Sequence, residues 1–198
     1  MTASVFLVRH ASHLEPGRRL TGRGNSTLTA AGQEQALALG ERLSKEKISV
    51  VYSSPRERAR STALSIADRV GAPVKIVAPL DEIDFGDWTG ANFNELEADS
   101  GWQSWNKARA ASCPPNGETM AAAVGRIVTC LERVVAQHPG SQIVVVSHGD
   151  MIRGAIAHYL GIPLDNILRF AVEPASFSRL MIGAWGAQVV SVNETIGE

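Results

Sequence analysis

The sequence predicts a three-layer α/β/α fold, with helices on both faces of a mostly parallel central sheet and an antiparallel edge near the C-terminus. Three observations predict it. Short, near-continuous apolar runs recur at Val5-Phe6-Leu7-Val8, at residues 48–52 and at residues 143–146, each with the length and composition of a strand buried on both faces. Longer stretches with apolar residues at helical spacing separate them, and strand alternating with helix is the pattern of an α/β sheet. The end of the chain changes character, because residues 176–183 and 187–192 flank Ala184-Trp185-Gly186, the signature of a hairpin at a sheet edge.

Taken in order, the first apolar run gives the first strand. Thr29 then reads as a helix N-cap, with Ala36, Leu39 and Leu43 at helical spacing behind it. After residues 48–52, Pro55 is placed where a first helical turn accepts it, and the helical pattern runs to Val70 before Gly71. Met120, Val124, Ile127, Leu131 and Val134 make a long stripe from Gly117 onward, and Pro139-Gly140 stops it. Another helix is expected from Gly149 to Gly161-Ile162-Pro163, after the third apolar run. The segment about 79–115 is irregular and holds three of the four tryptophans, so it is expected to form a cap over a site.

The chain of 198 residues fits one domain, 1–198, with that cap inserted. A chain of this length buries roughly 70% of its unfolded surface and needs no metal or disulfide to fold. The 19 Lys and Arg residues against 20 Asp and Glu leave a formal charge of −1, which argues against a nucleic-acid partner. Cys113 and Cys130 make neither a CxxC pair nor a disulfide framework. No apolar run approaches the ~18 residues of a membrane span, and the first residues lack the basic start of a signal peptide. The expectation is a cytoplasmic protein with neither membrane nor nucleic-acid partners.

In an open α/β sheet, ligands bind beyond the carboxyl ends of the strands. Those places hold Arg9 and His10 after the first run, then Ser53, Ser54, Arg56, Arg58 and Arg60 after the second, and Ser147-His148-Gly149 after the third. Singly, each histidine reads as a structural residue and the arginines as a solvated helix face. Together, at three equivalent places, they suit a phosphoryl group. Guanidinium presents a planar fork of donors to phosphate oxygens, neutral imidazole can attack phosphorus, and Gly149 opens a helix whose N–H groups face an anion. The five histidines show no metal-ligand spacing, so neither a metal nor another cofactor is expected.

The motifs then resemble those of the histidine phosphatase superfamily, the phosphoglycerate-mutase-like proteins. Leu7-Val8-Arg9-His10 resembles its opening motif, and Leu28-Thr29, Gly32 and Gln35-Ala36 its first helix. Ser53-Ser54-Pro55, Arg58-Ala59 and Thr62-Ala63 resemble the second block, and the segment from Glu82 through Phe85-Gly86-Asp87-Trp88 to Gly90 the acid-bearing one. Gly117-Glu118-Thr119 and Val146-Ser147-His148-Gly149 complete a set spread over about residues 5 to 160. The resemblance implies that His10 becomes phosphohistidine, that Arg9, Arg58 and His148 bind phosphoryl oxygens, and that Glu82 protonates the leaving alcohol. It puts Thr21, Gly22 and Asn25 at the substrate end. Arg56 and Arg60 fall outside the motif and read as surface residues.

Where such proteins usually carry Gly after the catalytic His, this chain has Ala11, followed by Ser12 and His13. His13 reads either as a solvent-facing loop residue or as a substrate contact. Trp102 and Trp105, three residues apart, read as packing for the cap before they read as pocket lining. The expected function is a metal-independent phosphomonoester hydrolase acting on a small phosphorylated metabolite. The alternatives are a phosphoglycerate mutase and an inactive binding module on the same fold. The intact set Arg9, His10, Arg58, Glu82 and His148 opposes the inactive module. The short segment between Glu82 and His148, with no basic insert, opposes the mutase. The sequence leaves the substrate and the oligomeric state open, with a homodimer frequent among similar proteins.

Overall fold

The computed structural model describes residues 2–14 and 18–196. Among them, six strands form one sheet in the order β3-β2-β4-β1-β5-β6, where β1 is Ala3–Arg9, β2 Ile48–Ser53, β3 Val74–Ile76, β4 Gln142–Ser147, β5 Phe177–Gly183 and β6 Gly186–Glu194. The first four run parallel, and β5 and β6 are antiparallel additions at the edge. This is the expected three-layer α/β architecture.

Period-two alternation along the buried strands separates two cores. Val5, Leu7, Val50, Tyr52, Ile143 and Val145 face the helices α5 (Met120–Gln137) and α6 (Gly149–Leu160). Phe6, Val8, Val51, Val144 and Val146 face α1 (Ala30–Leu43) and α2 (Glu57–Val70). Both sets are apolar because the sheet is covered on both sides, which is why these strands read as continuous apolar runs.

Thr29 caps α1 as its sequence position predicts, its hydroxyl accepting from the Gly32 N–H at 3.0 Å. Pro55 does not enter α2; Arg56 is the N-cap and Glu57 the first helical residue. Three features went unread in the sequence. The strand β3 has only three residues, too few for a period to register. The segment 79–115 is not wholly irregular, since α3 (Phe93–Ala98) and α4 (Ser100–Lys107) lie within it, both started by Asx caps, Asn92 and Asp99. A 3-10 turn over Leu164–Arg169 follows α6. Among the described residues no helix is long and apolar enough to cross a membrane.

The fold brings three strand ends together. His10 N–H donates to Ser147 O at 3.0 Å and Ser54 N–H to Val146 O at 3.0 Å, so the residues following β1, β2 and β4 stand side by side.

Candidate active site

The loop leaving β1 is pinned from two helices. Ser12 O accepts from the Thr29 N–H at 3.1 Å, Ser12 N–H donates to Gln35 Oε1 at 3.0 Å, and Ala11 N–H donates to Thr62 Oγ1 at 3.1 Å. Gly32 allows this approach, because a Cβ there would collide with the Ser12 carbonyl oxygen. The Ala11 methyl is fully buried in the α1–α2 core, so a side chain after His10 is accommodated.

These contacts set His10, whose hydrogen bonds define its tautomer. Nδ1 lies 2.9 Å from Ala11 O, an acceptor only, so Nδ1 carries the proton. Nε2 then keeps its lone pair, toward which Arg58 Nε donates at 3.2 Å. Burial, then the Arg58 guanidinium, holds the His10 pKa well below the usual 6.5, so the ring is neutral near pH 7.

Arg58, in the first turn of α2, is 1% exposed. Its two terminal nitrogens donate to Gly24 O at 3.0 Å and Gly22 O at 2.7 Å, and one also meets His148 Nδ1 at 3.1 Å. His148 therefore accepts at Nδ1 and donates from Nε2 to Ser54 Oγ at 2.7 Å. It has no solvent exposure and lies beneath Arg58, its ring 5.1 Å from that of His10. Burial and then Arg58 keep it neutral as well.

Glu82 follows a 3-10 turn, and its backbone is clamped. Its N–H donates to Asp81 Oδ1 at 2.8 Å, and its carbonyl accepts from Arg23 Nε at 2.9 Å and Arg126 at 3.2 Å. Glu118, of the Gly117-Glu118-Thr119 motif, pairs with Arg126 at 2.8 Å and Arg23 at 3.1 Å. Arg56 is not the surface residue its position suggested. It grips Asp81 through Nε and a terminal nitrogen, at 2.8 and 2.7 Å, and donates to Arg23 O. Arg60 is exposed as expected. The Glu82 carboxyl, 3.8 Å from His148 Nδ1, is pushed up to about 7 by burial and then by the Asp150 charge. It therefore holds a proton below about pH 7 and loses it above.

These groups face a cleft of about 320 Å³. Arg9, His10, Arg58, Glu82, Gly149, Thr21, Gly22 and His13 line it, whereas His148, expected to bind phosphoryl oxygens, is fully buried behind Arg58 and does not. His13 is half-buried, edge-on to His10 with centroids 5.2 Å apart, and Ser26 Oγ lies 3.0 Å from its Nδ1. Asn25 is exposed and stands outside the cleft. The 79–115 segment supplies Phe85, Phe93, Trp102 and Arg109. Trp105 is fully buried packing; Trp102 both packs, 5.4 Å from Trp88, and lines the cleft. Sequence reasoning missed Arg109, Asp150 and Arg153, which also line the cleft. A larger groove of about 570 Å³ near the β5–β6 turn carries neither histidine nor arginine, so volume alone does not locate the chemistry.

A family model described as the histidine phosphatase superfamily, branch 1, matches residues 5–195. The chain belongs to that superfamily. Phosphoserine phosphatase 1 of Hydrogenobacter thermophilus is 33% identical over 88% of this chain and 84% of its own. A probable phosphoglycerate mutase, GpmB, of Erwinia tasmaniensis is 31% identical over 89% of this chain and 83% of its own. The solved structure of mycobacterial glucosyl-3-phosphoglycerate phosphatase superposes with a TM-score of 0.89 at 25% identity, covering 98% of this chain and all of that one. As a histidine phosphatase, this chain is a phosphomonoesterase-type enzyme, and a phosphohistidine mechanism fits it. Among the described residues of this superfamily member, no group of three or more His, Cys, Asp or Glu could hold a metal ion.

Proposed function

We propose that this histidine phosphatase hydrolyses a small phosphomonoester, with the cap segment about 79–115 closing one side of its cleft and the cytoplasm as its place of work. The observation that carries the reading is the pairing of a neutral His10, its Nε2 unprotonated and held by Arg58, with a Glu82 carboxyl protonated up to about pH 7, across an arginine-lined cleft. In the first step His10 Nε2 attacks phosphorus in line. The N–P bond forms as the P–O bond to the alcohol breaks, and the Glu82 proton passes to the leaving oxygen. Arg9 and Arg58 offset charge on the equatorial oxygens, where most catalysis of phosphoryl transfer lies, and neutral His148 holds Arg58 in place from beneath. The Ala11 carbonyl, accepting from Nδ1–H, stabilises the positive charge that grows on the ring. In the second step Glu82 takes a proton from water as its oxygen attacks phosphorus, the N–P bond breaks, and inorganic phosphate leaves with His10 restored.

The GpmB-type relatives keep a second reading in view, return of the phosphoryl group to another hydroxyl. The two are separated by incubating the enzyme with 3-phosphoglycerate and resolving products by phosphorus NMR. Hydrolysis releases inorganic phosphate in proportion to substrate consumed. Accumulation of 2-phosphoglycerate without phosphate would overturn the hydrolytic reading.

A further inference from the structure

Two arginines at the start of α2 face different tasks. Arg58 meets His10 and His148 and lines the cleft. Arg56, two residues earlier, is the N-cap and holds an extended backbone, so its side chain leaves the helix end by another route. Its N–H donates to Ser54 Oγ at 3.2 Å, and the same hydroxyl meets His148 Nε2 at 2.7 Å. Its guanidinium takes Asp81 side-on, Nε to Oδ1 at 2.8 Å and a terminal nitrogen to Oδ2 at 2.7 Å. The other terminal nitrogen donates to the Arg23 carbonyl, between the Gly22 and Gly24 carbonyls that Arg58 holds.

Asp81 passes this grip to the acid. Its side chain is 9% exposed, and Arg56 meets its charge directly while Arg23 Nε stands further off, at 3.9 Å. A two-bonded guanidinium–carboxylate pair fixes orientation as well as distance. The oxygen that accepts from Arg56 Nε also accepts from the Glu82 N–H at 2.8 Å. One carboxylate oxygen therefore ties the backbone of the acid to the helix end that carries Arg58, and Arg58 Nε in turn donates to His10 Nε2. Acid, phosphate holder and nucleophile are joined through a short series of bonds, with the Arg56–Asp81 pair in the middle.

We propose that Arg56 is a positioning residue for proton delivery, acting through Asp81 to hold Glu82 at the leaving oxygen of a phosphoryl group bound by Arg58. This rests on the reading above in which Glu82 is the acid. A proton donor works only within hydrogen-bond reach of its target while the P–O bond breaks, and a small displacement is costly. Removing the Arg56 side chain leaves its backbone bond to Ser54 available and every cleft-lining side chain in place, but frees the Asp81 carboxylate that seats the Glu82 N–H. The loss should therefore fall on leaving groups that need the proton.

The test measures kcat/KM on p-nitrophenyl phosphate, phenyl phosphate and glycerol 3-phosphate, whose leaving groups are progressively more basic. This constant reports only the steps through loss of the alcohol, so hydrolysis of phosphohistidine, common to all three, drops out. Relative to p-nitrophenyl phosphate, Arg56→Met should lose on the order of 10- to 100-fold on the most basic leaving group turned over, and Arg56→Lys should recover part of it. Asp81→Asn should reproduce the loss, and the double variant should be no worse than the poorer single one, because both break one link. A ratio within one preparation is insensitive to partial misfolding. Equal losses on all substrates in Arg56→Met, an unchanged ratio, or losses that multiply in the double variant would overturn the assignment. Glu82→Gln separates the two failures: a ratio that falls in Glu82→Gln but not in Arg56→Met overturns the positioning role alone, whereas a ratio unmoved by Glu82→Gln overturns the reading of Glu82 as the acid.

Discussion

Two groups of residues at the cleft are built on different principles. Around the strand ends, His10, Arg58 and His148 are at most 3% exposed, and their polar nitrogens meet partners in the protein. Among the other described residues of the cleft, Arg153 makes hydrogen bonds of 3.3 and 3.4 Å, Arg19 is exposed, and Trp102 is half-buried. The difference separates two tasks. Positioning a nucleophile within reach of phosphorus needs side chains with one available geometry, whereas discriminating among leaving groups needs donors left open until the ligand arrives.

The sharpest way to break this comparison is around the strand ends. His10→Ala should lower kcat by on the order of 10⁴-fold or more on every phosphomonoester, because no other group at the strand ends replaces the nucleophile; steady-state phosphate release measures it. Glu82→Gln should cost on the order of 10²–10⁴-fold on alkyl phosphates and much less on p-nitrophenyl phosphate, whose phenolate leaves without help. Equal losses on both substrates would remove Glu82 from the role of acid.

The same residue sets the pH profile. Glu82 has its pKa raised to about 7, so its acid form dominates below that value and is lost above it. His10 has its pKa depressed, so its neutral form persists well below pH 6.5 and is lost only on further acidification. The substrate dianion itself is lost below about pH 6. The kcat/KM profile on an alkyl phosphate should therefore fall above about pH 7 and again on the acid side, and Glu82→Gln should abolish the alkaline fall.

A smaller effect is expected one layer out. Arg126 ties the Pro79, Asp81 and Glu82 carbonyls together at 2.8, 2.8 and 3.2 Å, so it positions the acid without touching substrate. Arg126→Met should lower kcat on alkyl phosphates by about tenfold, the cost of a modest displacement of an aligned group, with KM and p-nitrophenyl phosphate turnover less affected. Gly32→Ala sets a helix-propensity gain of up to about 1 kcal/mol against forced separation of α1 from the Ser12 backbone. Overpacking costs about 1–3 kcal/mol, so a lower Tm is expected in thermal unfolding. The smallest effect should come from exhaustive chelation, which is expected to leave turnover unchanged because arginines supply the positive field; loss with EDTA and rescue by Mg²⁺ or Zn²⁺ would contradict it.

What was legible in the sequence divides along the same line. His10, His148 and Arg58 each follow an apolar run by a few residues, so locating the strands located them, and Glu82 came with the motif it shares with the family. Thr29, Gly32, Gln35 and Thr62 were visible as motif positions, but their purpose, holding the loop after His10, is a contact across two helices that no local pattern encodes. Arg56 was misread because alternating arginines on a helix start look solvated, and only tertiary structure brings Asp81 to it. Arg109 and Asp150 escaped for the same reason. Their bond joins the 79–115 segment to α6 over 41 residues of chain, and neither end has a spacing that announces the other. Arg153 stands three residues from Asp150 on α6, a local pair that carries no sign of the cleft beside it.

The central claim is that His10 becomes phosphorylated during turnover, and rapid chemical quench with a phosphorus-labelled substrate tests it most directly. The account predicts a transient protein-bound phosphoryl group, labile in acid and stable in alkali, mapped to the peptide containing His10 and absent from His10→Ala. Label trapped on a serine or carboxylate, or full turnover in His10→Ala, would contradict it.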